Sequence, residues 1–259
     1  MATYYTALPH RFLSVTGTDA TKLLQGQCSC DIEQLDTNNF SFGTLNTPKG
    51  RIYAIFKIAK TKDGYLLSLD ASTLESTLTK LSKYAVFFDC IITETPYQSY
   101  GIQLDNLDTI PSQFQCVEFP QTSMTAITSN EHIVLRLPMA GLCYEAWINP
   151  ESNSTLNTET PNEVRLGTWL ANEALNGIPC LYESTQENFI LQNLNLQDLN
   201  AVSFKKGCYT GQEIIARMKY LGKQKKKMLL LTSSAQCTSE AGASVFNEKF
   251  DKCGVLVRS

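Results

Sequence analysis

Cys208 lies in the stretch that carries the most chemistry, AVSFKKGCYTGQEIIARMK over residues 201–219. Lys205, Lys206 and Gly207 precede it; Tyr209, Thr210 and Gly211 follow. A helical pattern then begins, with Ile214, Ile215 and Met218 on one face. Thr210 has the character of an N-cap, and Glu213, three residues on, has the spacing that closes a capping box. A thiol just ahead of a helix N-terminus faces unpaired amides and the positive end of the helix dipole, which favour a thiolate or a bound anion. The two lysines add to that field. Such a cysteine is a candidate for covalent chemistry of the thiol–disulfide exchange type. The plainer reading is a small cysteine buried in a tight turn.

The charge around this stretch is unusual for the chain as a whole. The 259 residues carry a formal net charge of −3. Residues 205–227 hold Lys205, Lys206, Arg217, Lys219, Lys223, Lys225, Lys226 and Lys227 against Glu213 alone, so this segment is +7 and the remainder −10. A field of that kind attracts a polyanion such as a phosphate chain, a nucleic acid or a string of carboxylates; any single lysine reads equally well as a solvated surface residue.

Other reactive chemistry is thin. Only His10 and His132 are present, too few for a histidine metal site or a Ser-His relay. Nine cysteines without a CxxC pair or regular spacing do not make a disulfide framework. Cys28-Ser29-Cys30 offers two soft ligands, short of a metal site. No apolar run approaches the roughly 18 residues of a membrane span, and MATYYTALPHRF lacks the zones of a signal peptide. The expectation is a soluble cytoplasmic protein with no membrane partner.

The elements that must position the cysteine read as α+β. His10–Thr16 alternates as a strand, Ala20, Leu23 and Leu24 share a short helix ended by Gly26, and residues 40–45 lead through a turn at 46–50 into a strand over 51–60 that is apolar on nearly both faces. The 62–64 turn pairs that strand with 65–69 as a hairpin. Ser72 and Glu75 have capping-box spacing ahead of a helix with Leu74, Leu78 and Leu81, and Val86–Thr93 reads as the next strand. Helices on one face of a largely antiparallel sheet follow from that order. Short strands are expected over 101–104, 132–137 and 143–148, with a helix near Leu107. An exposed loop spans 149–160, and a helix opening at Pro161 carries Val164, Leu166, Trp169, Leu170 and Ala174 until Gly177-Ile178-Pro179 stops it. Residues 180–200 read as a turn-rich connector, and short strands over 228–232, 244–246 and 254–257 as a reduced or cut barrel.

At Lys205-Lys-Gly-Cys-Tyr-Thr-Gly-Gln-Glu213, with Ala216-Arg217 following, the chain resembles the YgfZ-type folate-binding proteins, relatives of the glycine-cleavage T-protein, an aminomethyltransferase. The signature is complete. Leu24-Gln-Gly-Gln27 with Asp31, Lys49-Gly50-Arg51, Lys83-Tyr-Ala-Val86, Gly177-Ile-Pro179, Asn193-Leu194 and Ala201–Phe204 resemble the family's successive landmarks in order, over most of residues 12–232. The resemblance implies a T-protein-like cloverleaf of ferredoxin-like, antiparallel-sheet modules around a central cavity for tetrahydrofolate or a 5-formyl or methylene derivative. It implies a folate-binding domain over 1–222, made of two α+β subdomains, and a C-terminal β segment over 223–259, shorter than the family's usual barrel. The implied role is that of an accessory protein for iron–sulfur enzymes, including those that thiolate tRNA, with Cys208 at the cavity rim and the iron–sulfur enzymes or assembly proteins as partners.

The resemblance also marks departures. The T-protein aspartate that serves methylene transfer aligns with Thr77, which argues against an active aminomethyltransferase, the one-carbon alternative. The family's pterin-binding glutamate aligns with Leu175, leaving Glu173 or Asn176 to substitute. Trp169 is the platform candidate for the flat pterin and reads equally as core; Arg217 is the favoured cation for the glutamate tail, since a guanidinium matches a carboxylate bidentately. Gln212 and Glu213 either cap their helix or hold the cysteine loop, and Gly207 and Gly211 permit backbone geometry closed to other residues. A module that binds tRNA through residues 205–227 is the remaining alternative.

Overall fold

The computed structural model describes residues 3–115, 117–129, 131–152, 163–222, 224–233 and 239–258. The chain begins with β1 (Tyr4–Leu8) and β2 (His10–Thr16), which only Pro9 separates and which nonetheless enter different sheets. Proline has no N–H to offer either ladder, so the switch leaves no donor unpaired. After α1 (Ala20–Gln27) come β3 (Phe40–Asn46), β4 (Ile52–Thr61) and β5 (Gly64–Asp70), then α2 (Leu74–Ala85) and β6 (Ile91–Thr95). Pro96-Tyr97 marks the second switch, into β7 (Gln98–Leu104), followed by β8 (Ala126–Ser129), β9 (His132–Arg136) and β10 (Leu142–Ile148). Next are α3 (Glu163–Leu175), α4 (Gln212–Tyr220), β11 (Ser244–Phe246) and β12 (Lys252–Val255).

Two five-stranded sheets result, in the orders β3-β4-β5-β2-β6 and β1-β7-β10-β9-β8, and every pairing in them is antiparallel. The expected α+β arrangement is present. In the first sheet the period-two alternation sends Leu13, Val15, Phe56, Ile58, Leu67 and Leu69 to an outer face, where Leu23 and Leu24 of α1 and Leu74 and Leu81 of α2 cover them. Its inner face (Phe12, Phe40, Phe42, Leu66) meets Ile133, Leu135 and Trp147 of the second sheet; Phe12 and Trp147 touch edge to face, ring centroids 5.4 Å apart. The second sheet's other face buries Tyr100, Ile102 and Tyr144 under Phe114 and Val117.

The structure departs from the sequence reading at several places. β1 is a strand that the residue pattern does not announce. Residues 86–90 form a turn and β6 begins only at Ile91, with Val86 and Phe87 exposed. The helix near Leu107 is a single 3-10 turn, Leu107–Thr109. Asp70, in place of Ser72, caps the approach to α2, accepting from the Ser72 amide at 2.9 Å. The 180–200 segment is turn-rich, with 3-10 turns at Glu183–Thr185, Leu191–Leu194 and Leu196–Leu199, but it is no mere connector: Leu191, Leu194 and Leu196 are buried in the core between the sheets. Residues 228–232 enter no ladder, and β11 and β12 pair only with each other, so no barrel closes among the described residues. The loop expected over 149–160 falls mostly outside the described residues, as do Pro161 and Lys223.

Candidate functional site

The cysteine loop is lashed to the end of α1 and the turn that follows it. Ser29 Oγ donates to Ala201 O, and the Ser203 amide donates to Ser29 O at 2.9 Å, so residues 201–203 run against the turn that follows α1. Ser203 Oγ then accepts from the amides of Lys205 and Lys206. Lys206 is nine-tenths buried, and its ammonium donates to Cys28 O at 2.9 Å and Cys30 O at 2.7 Å while lying 5.1 Å from the centre of the Tyr209 ring. Burial lowers the Lys206 pKa, an effect opposed by the nearby Cys28, Cys30 and Asp31. On the far side of Cys208 the Thr210 amide donates to Gly26 O, and the Thr210 hydroxyl donates to Gln27 Oε1. Cys208 and Gly207 are exposed between these two moorings.

Helix α4 starts differently from the expected capping box. Its N-cap is Gly211, at φ 85°, with no side-chain cap, because the Thr210 hydroxyl is engaged with Gln27. A Cβ on Gly211 would lie 2.7 Å from Thr47 O, so this glycine serves both its left-handed backbone and its close approach to the 46–50 turn. Gly207 needs neither: its φ lies outside the left-handed region and a Cβ there would meet nothing within 4 Å. Gln212 is half-buried and its amide bonds Tyr209 O; Glu213 is exposed in the first turn. The helix body is held by Ile215, fully buried, whose carbonyl accepts from Gln192 Nε2 at 2.8 Å.

The residues proposed for folate sit on two separate elements: Trp169 and Glu173 on α3 with Asn176 just beyond its end, and Arg217 on α4. Trp169 is fully buried; its indole lies on Gly101, where a Cβ would come within 2.6 Å of the ring, so it is a core residue and offers no free face to a pterin. Glu173 is 3% exposed, and Oε2 pairs with the Arg258 guanidinium at 2.8 Å. That guanidinium also bonds Leu170 O and lies near Cys180, whose thiol burial pushes up to about 11 against the opposing influence of Arg258. Asn176 caps inward, accepting from the Ala140 amide and donating to Asn172. Leu175 is exposed and Arg217 stands on the exposed side of α4, apart from these groups. As a donor set, Glu173 is a buried carboxylate able to accept from a pterin edge once Arg258 releases it; Trp169 does not fit the platform role. A cleft of about 250 Å³, of mixed polar and apolar lining, opens between Asp31, Leu35, Asn39, Phe40, Asn200 and Val202. It is smaller than the roughly 300 Å³ at which drug-sized ligand sites begin.

Sequence reasoning missed a second charged cluster between the two sheets. Alternation turns His10, Lys57 and Ser68 inward from the first sheet, and Ser99, Glu145 and Trp147 inward from the second. Glu145, fully buried, accepts from Trp147 Nε1 at 2.7 Å, Ser99 Oγ at 2.8 Å and Ser68 Oγ at 3.3 Å; His10 Nδ1 lies 3.2 Å away, and Lys57 Nζ 2.6 Å from the other oxygen. Burial alone would push the carboxyl up; Lys57 and His10 overcome it and hold it well below the usual carboxylate range. The available signal was a glutamate inside the apolar run Cys143–Ile148, matched by Lys57 inside the most apolar strand. Among the described residues no group of three or more His, Cys, Asp or Glu is arranged to hold a metal, and no helix is long and apolar enough to cross a membrane.

Comparison with known proteins places this architecture. No protein-family model matches the chain. The aminomethyltransferase T of the glycine cleavage system from Bartonella henselae superposes with a TM-score of 0.71, covering 99% of this chain and 74% of that one at 14% identity, which establishes the fold alone. Among curated relatives, the tRNA-modifying protein YgfZ of Aliivibrio fischeri is 30% identical over 264 residues, 95% of this chain and 76% of its own length. Its namesakes from Escherichia fergusonii and Photobacterium profundum are each 32% identical, over 88% and 95% of this chain and 71% and 76% of theirs. With that identity sustained across nearly the whole chain, and with the cysteine loop built on an aminomethyltransferase fold, the chain belongs to the YgfZ family of tRNA-modifying proteins.

Proposed function

We propose that this protein binds a reduced folate and assists iron–sulfur enzymes of tRNA modification in the cytoplasm, with Cys208 as its reactive group. The observation that carries the reading is the cysteine loop: a buried lysine and two backbone moorings hold the segment on either side of Cys208 while leaving the thiol exposed. Groups that only fill a turn do not need a buried cation beneath them. The names of the relatives, tRNA-modifying proteins, supply the process. Folate enters from the fold family; when bound it would supply a one-carbon unit or a reduced pterin. Glu173 is the residue of this chain suited to hold its pterin edge, and Arg258 must first leave that carboxylate.

Aminomethyl transfer is the weaker reading. Thr77, aligned with the aspartate of the T-proteins, is buried, its hydroxyl donates to the carbonyl of Thr73, the N-cap of α2, at 2.6 Å, and it carries no charge to anchor a cationic amine.

Calorimetric titration with tetrahydrofolate and its 5-formyl form tests the proposal, on the native chain and on Arg258→Gln. Saturable binding that tightens several-fold in Arg258→Gln is expected. No heat from either protein at millimolar folate would end the folate part of the reading.

A further inference from the structure

The basic segment is organised by the fold. Gln224 Nε2 donates to Gln192 O at 2.6 Å, Asn193 Nδ2 to Lys226 O at 3.3 Å and Asn195 Nδ2 to Met228 O at 3.0 Å. The bonds of Asn193 and Asn195 take the backbone carbonyls and leave the side chains of Lys225, Lys226 and Lys227 exposed. These lysines lie a few residues beyond the end of α4, whose last turn carries the exposed Arg217 and Lys219. Lys205, exposed, opens the cysteine loop at the other end of the same unit.

Aromatic rings sit among these cations, a feature the one-dimensional pattern hid because the partners are sixteen residues apart. Phe204 and Tyr220 meet edge to face with centroids 6.2 Å apart. Lys219 Nζ lies 3.6 Å from the Phe204 centroid and 5.4 Å from that of Tyr220. Tyr220 is nonetheless 66% exposed. A tyrosine in contact with a second ring and a cation on one side, and open to solvent elsewhere, presents ring surface on which a base can stack. Cations that track a backbone beside an aromatic step are the chemistry of single-stranded nucleic acid recognition: phosphates meet Lys and Arg, and any base can stack. A purely acidic peptide would use the charges and leave the ring unexplained.

We propose that single-stranded RNA docks on this face, its phosphates along Lys205, Arg217 and Lys225–Lys227 and a base on Tyr220, which brings the RNA beside Cys208. This rests on the reading of the chain as a participant in tRNA modification, and it deepens that reading by making the contact with RNA direct.

The test is fluorescence anisotropy with a labelled mixed-sequence 12-nucleotide RNA, the same RNA as a duplex, and a heparin fragment as a non-nucleic polyanion, each over a salt series. The single strand should bind more tightly than the duplex or heparin. Replacing Lys225–Lys227 together by Gln should flatten the log–log salt slope by about 2, at roughly 0.7 for each phosphate no longer neutralised. Tyr220→Ala should weaken single-strand binding at least about fivefold with the slope unchanged, and Tyr220→Phe should restore it. All these positions are exposed, and a thermal melt confirms that each variant is folded. Equal affinity for heparin, or a Tyr220→Ala variant that binds like the native chain, would overturn the proposal, as would the absence of salt-dependent RNA binding. Folate calorimetry on the same samples separates the two readings: folate bound without RNA ends this inference alone, and RNA bound without folate ends the other.

Discussion

Two buried lysines divide the molecule. Lys57, between the sheets, faces the Glu145 carboxylate at 2.6 Å, and although burial works against its charge, Glu145 keeps its pKa raised. Lys206, under the cysteine loop, faces two neutral carbonyls, and there burial prevails and its pKa is lowered. The first arrangement joins two sheets through groups from five strands; the second ties one short loop to one turn. A buried cation with a counter-charge in contact is therefore a joint of the whole fold, and one held by carbonyls and a ring is a local clamp that can loosen without unfolding the rest.

Breaking the joint should have the largest effect. Glu145→Gln leaves Lys57 buried without its counter-charge, and removing one partner of a buried pair costs about 3–5 kcal/mol. Urea denaturation should show the midpoint falling sharply, and Lys57→Met combined with Glu145→Gln should recover part of the loss. A loss under about 1 kcal/mol in the single variant would mean the two sheets are held by apolar contact alone. The same pair fixes a pH dependence. The folded-state pKa of Glu145 is depressed below its unfolded value of about 4.3, so its stabilisation is present above that pH and is lost as pH falls toward the folded value. Stability of the native chain should drop steadily on acidification below about pH 5, and Glu145→Gln should drop less steeply over the same window.

Loosening the clamp should cost less. Lys206→Met leaves Cys28 O and Cys30 O without this donor, a penalty of about 1–3 kcal/mol. Hydrogen exchange should rise at residues 201–211 and at the turn after α1 while β4 and β10 stay protected. Exchange rising equally in both sheets would erase the distinction between joint and clamp.

These two regions were unequally legible in the sequence. The cysteine loop was readable because its signature is contiguous: nine adjacent residues report on one another without any knowledge of the fold. Its anchor was not, because Lys206 reaches back to carbonyls of Cys28 and Cys30, and a backbone acceptor leaves no trace in residue type. The hairpin of β4 and β5 and helix α2 followed from periodicity and turn residues. β1 escaped because Pro9 divides what looks like one segment, and the sheet switch there is a tertiary event. The Glu145 cluster draws on residues from 10 to 147, and only strand alternation in a known register brings them together. Trp169 shows the limit of residue chemistry alone: an aromatic on an amphipathic helix suits a pterin or a core equally, and the glycine beneath it decided for the core.

The smallest effect expected separates two glycines of the signature that look equivalent on paper. Gly211 holds φ 85° and would push a Cβ to 2.7 Å from Thr47 O, so Gly211→Ala should destabilise by roughly 1–2 kcal/mol from the left-handed backbone alone, with the clash in addition. Gly207 has an ordinary φ, and a Cβ on it would meet nothing within 4 Å. Gly207→Ala should therefore leave stability within about 0.5 kcal/mol, as exposed substitutions usually do, and the fold gives it no reason to exist. If glycine at 207 matters, it matters to whatever approaches Cys208 from outside. The rate of Cys208 alkylation by iodoacetamide should be unchanged in Gly207→Ala, since that reagent is small, whereas reaction with a bulky macromolecular disulfide should slow. Equal slowing of both would place the constraint inside the loop, and the clamp would then reach further than its hydrogen bonds indicate.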